Sequence, residues 1–177
     1  MGIFTIKERN NLVRANQATR GDRGVVGGGQ AEPNGQSDVM DFIEISTAGN
    51  AADFGNLIVG NRNSLSTVAS STRGLFLGGG SNNNVITDID YITIASTGNA
   101  ADFGNLSAIR RGGSGVGSQT RGITMGGSTP SAYVDIIEFM TIASLGNATD
   151  FGNLGAARNI GAPVSSPTRG IRMGGVQ

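Results

Sequence analysis

The sequence predicts an all-β chain assembled from one short unit repeated along its length. Three observations carry that reading. The string Gly-Asn-Ala-Ala-Asp-Phe-Gly-Asn-Leu occupies residues 49–57 and 98–106, and returns at 146–154 with Thr149 in place of one alanine. Its copies start at Gly49, Gly98 and Gly146, and self-similarity at such a regular step marks a repeat array. Glycine supplies 30 of the 177 residues, well above its usual share of roughly 7%. With it come β-branched residues, Ser, Thr and Asn, a balance that suits short strands and tight turns rather than helices.

Taken in order, residues 1–18 do not match the repeat and read as an N-terminal arm. A second signature starts at Thr19. It recurs as Thr72-Arg73-Gly74, Thr120-Arg121-Gly122 and Thr168-Arg169-Gly170, each followed by a short apolar strand and a glycine doublet. The doublets begin at Gly27, Gly78, Gly126 and Gly174, so they keep the step of the string, with the first interval slightly longer. Gly79, Gly127 and Gly175 close these strands, where positive φ or a close backbone approach excludes a side chain. The longest strand of each unit follows at residues 39–45, 88–94 and 136–142. Alternation puts Ile43, Ile45, Ile92, Ile94, Met140 and Ile142 on one face, and Met40, Phe42, Ile89, Tyr91, Ile137 and Phe139 on the other. Both faces are apolar, so both are expected to be covered.

The repeated string comes next. Its Asn and Asp suit Asx-turns and its glycines tight bends, while Phe54, Phe103 and Phe151 are expected to be core anchors. Arginines follow at Arg62, Arg110, Arg111 and Arg158. A segment of small residues, clearest at Gly112–Ser118, then reads as a fourth, crowded strand.

Composition excludes much chemistry. Thirteen basic and thirteen acidic residues cancel, so a basic surface for nucleic acid or anionic lipid is not indicated. The absence of cysteine rules out disulfides and thiolate metal sites. The absence of histidine removes the commonest general base and metal ligand. Lys7 is the one lysine, which leaves no candidate for a phosphate-binding or Schiff-base lysine. No apolar run approaches the ~20 residues of a membrane span. The N-terminus lacks a signal-peptide core, and Lys7 stands near the place where a myristoylation signal needs Ser or Thr.

About four strands in ~48 residues with no helix is the pattern of a β-propeller blade. The order of apolar strand, Gly-Gly, acidic-aromatic strand, Arg and Gly-rich strand resembles the kelch repeat from about Thr19 to Gly175. It departs in having no Trp after the aromatic strand. The resemblance implies repeats at about 19–71, 72–119 and 120–167, with a partial unit at 168–177. More narrowly, Tyr91-Ile-Thr-Ile-Ala-Ser-Thr-Gly-Asn-Ala-Ala-Asp-Phe-Gly-Asn-Leu106 with the Thr-Arg-Gly signature looks like repeats in virion proteins of tailed phages, notably those of marine cyanobacteria. That likeness implies a non-enzymatic structural part of a particle, in the tail, tail fibre or capsid surface. Its partners are then itself and other virion proteins, with a host glycan as a further ligand, and no cofactor. Propellers close with 4–8 blades, so three units point to completion by self-association, two chains giving six blades.

The recurrent charges allow competing readings. Asp41, Asp90 and Glu138 lie on the long strands, Asp53, Asp102 and Asp150 in the strings, and Arg73, Arg121 and Arg169 in the Thr-Arg-Gly signature. Acids around a channel would bind cations or sugars, as in a lectin. Acids paired with arginines between units would be structural, and repetition within one chain favours this, because an active site is normally built once. Residues 81–84 with Asp88 and Asp90 suggest a calcium site but lack the order of an EF-hand loop. A two-carboxylate glycosidase has no unique acid pair to draw on. Arg20-Gly-Asp22 overlaps the repeat signature. The acceptor patterns at Asn105 and Asn147 lie within the string, so repetition explains them.

Overall fold

The computed structural model describes residues 23–31, 35–81 and 84–177. The N-terminal arm, Arg20-Gly-Asp22 and Asn82-Asn83 lie outside them. Every regular element among the described residues is a β-strand, as the composition dictates. Thirteen strands build the main sheets. The first sheet holds β1 (Arg23–Gly27), β2 (Val39–Glu44) and β3 (Ala52–Asn56), in the order β1-β2-β3. The second holds β4 (Ser66–Ala69), β5 (Arg73–Leu77), β6 (Asp88–Thr93) and β7 (Ala101–Asn105). The third holds β8 (Ser114–Gly117), β9 (Arg121–Met125), β10 (Ile136–Thr141) and β11 (Thr149–Asn153), and β12 (Ala162–Ser165) with β13 (Gly170–Met173) forms a final hairpin. Within these sheets every pairing is antiparallel between chain neighbours.

The small-residue strand of the sequence reading opens a sheet rather than closing one. Ser66–Ala69 pairs with the Thr-Arg-Gly strand after it, in the register Ser66↔Leu77 to Ala69↔Gly74. A tight turn enforces this. The Ser70 amide donates to the Arg73 carbonyl at 2.9 Å, and Ser70 Oγ accepts from the Thr72 and Arg73 amides. Ser118 and Ser166 build the same turn. The sheets therefore start at Ser66, Ser114 and Ala162, ahead of Thr72, Thr120 and Thr168. These first strands are crowded: a side chain on Gly115 would collide with the Thr67 carbonyl of the sheet before.

The repeated string is not a run of turns. Its second half is the outer strand of each sheet, and a bulge explains its sequence. In the second sheet Ile89 faces Gly104 and Asp90 faces Asp102, so Phe103 is the extra residue. The first and third sheets break register at the same place. A bulge re-aims a side chain. Phe103 turns into the core while Asp102 stays in water, and Gly104 follows with φ +144°, a conformation that suits glycine.

The sheets stack face to face in chain order. Met40, Phe54 and Leu57 of the first sheet pack on Phe76, Ile92 and Ala100 of the second. Leu75, Leu77, Ile89 and Phe103 of the second pack on Met140 and Ile142 of the third. Among the described residues, only the second sheet is covered on both faces by full sheets, and the stack does not close on itself. Val26, Ile43 and Ile45 stay exposed on the first sheet, and Phe151 on the third.

Candidate functional site

The chemistry of this chain lies in the joints between sheets. Arg62 follows the first string and is fully buried, with Nη1 2.9 Å from Asp90 Oδ2 on β6 of the next sheet. Its Nε donates to the Gly78 carbonyl at 2.7 Å, and Nη2 donates to the carbonyls of Phe76 and Asp88 at 3.1 and 2.6 Å. Asp90 also accepts from the Ile58 amide at 3.1 Å. Burial pushes the Asp90 carboxyl up, against the pull of Arg62 and the Ile58 amide, and burial holds the Arg62 guanidinium below its ordinary value. The next joint repeats the plan. Arg110 pairs with buried Glu138 on β10 and donates to the Ile136 carbonyl at 3.1 Å, while Glu138 accepts from the Ser107 amide at 2.8 Å. A buried pair of this kind fixes geometry more than it adds stability, because desolvation offsets attraction.

A second joint is made by the strings themselves. The Gly98 amide donates to the Phe54 carbonyl at 2.7 Å, the Ala100 amide to the Asn56 carbonyl at 2.9 Å, and Asn99 Oδ1 accepts from the Asn56 amide at 3.1 Å. Gly146, Ala148 and Asn147 make the same three bonds to Phe103 and Asn105. The head of each string thus docks on the tail of the one before, which gives a physical reason for its sequence to repeat. A side chain on Gly104 would lie 2.5 Å from the Gly146 carbonyl oxygen.

The residues singled out in the sequence fall into four groups. Arg73 lies 4.5 Å above the Tyr91 ring and donates to the Ile142 carbonyl of the third sheet at 2.9 Å. Arg121 lies 4.3 Å above Phe139, and Arg169 is exposed. Gly79, Gly127 and Gly175 have φ between +102° and +113° and lean on the carbonyls of Asn63, Arg111 and Asn159. Gly28, at φ +71°, matches Gly78 at +56°, so the first doublet is 28–29 and not 27–28. Asp53, Asp102 and Asp150 are exposed. Phe54 and Phe103 are 2% exposed, but Phe151 is 52% exposed because, among the described residues, no full sheet covers the outer face of the third.

The best-built polar site among the described residues combines long-strand acids with the arginines that follow the strings. The recurrence of both groups was visible in the sequence, while their partnership across sheets was visible only as a periodic match of opposite charges. Asp90 is engaged by Arg62, which removes it from the calcium reading. No protein-family model and no curated protein sequence matches the chain.

Proposed function

We propose that the chain is a non-enzymatic structural component of a tailed-phage particle, built from kelch-like propeller blades and acting in the tail, a tail fibre or the particle surface. The observation that carries this reading is the use of the repeated polar residues. Arg62, Asp90, Arg110, Glu138, Arg73 and the string asparagines are engaged in joining one sheet to the next. A catalytic centre needs groups held free to face a substrate, whereas these are tied down in a periodic lattice of contacts. Four-stranded antiparallel sheets that stack in chain order are the building plan of a blade array, and the likeness of the string to phage virion repeats supplies the setting. Mass spectrometry of purified particles tests it. Peptides of this chain are expected in constant ratio to other particle proteins, and their absence from purified particles overturns the proposal.

A further inference from the structure

Each end of the stack presents one half of the joint that recurs inside it. On the first sheet, Asp41 holds the place of Asp90 and Glu138 but is exposed. Val26, at 72%, and Ile45, at 65%, are exposed where their equivalents Phe76 and Ile142 are buried. On the third sheet, Arg158 holds the place of Arg62 and Arg110, and among the described residues it has no ion pair. Nothing lies within 4 Å of the position a side chain on Gly152 would take, although Gly55 and Gly104 meet the next string there. The hairpin strand β13 is equivalent to β5 and β9, but among the described residues no long strand lies along its far edge.

A cavity of about 370 Å³ opens at this end, lined by Leu154, Gly155, Ala156, Arg158, Arg172 and Gly174. Burial, and then the Arg158 charge, hold the Arg172 guanidinium below its ordinary value, and Nη2 of Arg172 is buried without a hydrogen-bond partner. Two cations face the space where both inner joints place a carboxylate.

We propose that this cavity receives the Asp41 carboxylate of a second copy of this chain, whose first sheet docks head to tail on the third. The inference gives a geometry to the self-association that three blade-like units lead one to expect, and it rests on the repeat and not on location in a particle. For Asp41 to sit as Asp90 and Glu138 do, β2 of the second copy must lie along β13, in the place of its own β1. Both strands carry the same signature, Arg23-Gly24 and Arg169-Gly170. In the register of β5 on β6, Asp90 faces Phe76 and Thr93 faces Arg73. Transferred to the new edge, Arg172 faces Asp41 and Arg169 faces Glu44, the residue Arg23 now holds at 2.9 Å. The exchange replaces like with like. Its gain is the cover it gives Ile43, Ile45 and Phe151, and a carboxylate placed beside Arg158 and Arg172, which otherwise face each other without a counter-charge.

Light scattering on the full chain at micromolar concentration is expected to give a mass above the 18.0 kDa of one chain. Asp41→Lys alone and Arg158→Glu alone are expected to be monomers with unchanged circular dichroism, and an equimolar mixture to associate, since one intact Asp41 then meets one intact Arg158. A monomeric wild type, or single variants that associate like it, overturns the proposal. The chain has no cysteine, so Arg169→Cys combined with Glu44→Cys reports the strand exchange as disulfide-linked dimers. Association without that cross-link overturns the exchange. A chain found in particles yet monomeric in solution defeats this inference and leaves the proposed function standing.

Discussion

Phe54, Phe103 and Phe151 occupy one position in three nearly identical strings, and they should respond very differently to removal. Phe103 is buried in the cluster of Leu75, Leu77, Ile89 and Met140, and its ring meets Tyr91 edge to face at 6.2 Å between centroids. Phe103→Ala deletes a ring enclosed by two sheets and leaves a cavity, which costs about 3–5 kcal/mol. Phe54→Ala should fall in the same range, because the second sheet covers it. Phe151 makes the same edge contact with Phe139 at 6.3 Å but keeps half its surface in water. Its removal opens no closed cavity and should cost about 1 kcal/mol. The assay is urea denaturation of the three variants in the Asp41→Lys background, which prevents a second copy from covering Phe151. Equal losses at all three positions, or a loss below ~1 kcal/mol for Phe103→Ala, would refute the stacking geometry.

Gly79→Val should fail to fold or lose several kcal/mol, because φ is +107° and the new Cβ would lie 2.6 Å from the Asn63 carbonyl oxygen; a variant of wild-type stability in a thermal melt would sink the point. In the same Asp41→Lys background Gly152→Ala meets no neighbour, so it should cost less than Gly104→Ala, which drives a methyl against the Gly146 carbonyl, and equal costs by denaturation would contradict the string-on-string joint. The far-ultraviolet circular dichroism spectrum should be that of strand, and more than about a fifth helix would contradict the fold, given the ~30–35% of an average domain.

The repeat and the strand type were legible because both are local: a constant period and two-faced apolar alternation survive in one dimension. Phe54 and Phe103 as core residues followed from an aromatic in a polar string. Phe151 did not, because its exposure depends on what stands beyond the third sheet and not on its own sequence. The outer strand was hidden by its own composition, since Asn, Asp and Gly favour turns in isolation. A bulge lets one such segment be a strand, seat a phenylalanine and receive the next string at once. The break between sheets was misplaced for a related reason. Periodicity fixes the length of a unit but not where it starts, and the Ser70 turn settles that. The joint between Arg62 and Asp90 links two sheets through residues far apart in the chain, so its parts were readable and its geometry was not.

The central claim is that the recurrent charges serve to lock sheet to sheet, and a mutant cycle on Arg62 and Asp90 tests it most directly. Asp90→Ala strands a buried guanidinium, and should destabilise the chain by about 3–5 kcal/mol. Replacing both residues, as Arg62→Met with Asp90→Ala, should recover part of that loss, because no buried charge is then left without a partner, although the Ile58 amide and the Gly78 carbonyl still lose their bonds. A coupling energy of several kcal/mol between the two sites is the expected result. An Asp90→Ala protein as stable as the wild type, or losses that simply add, would show that the pair does not hold the sheets together.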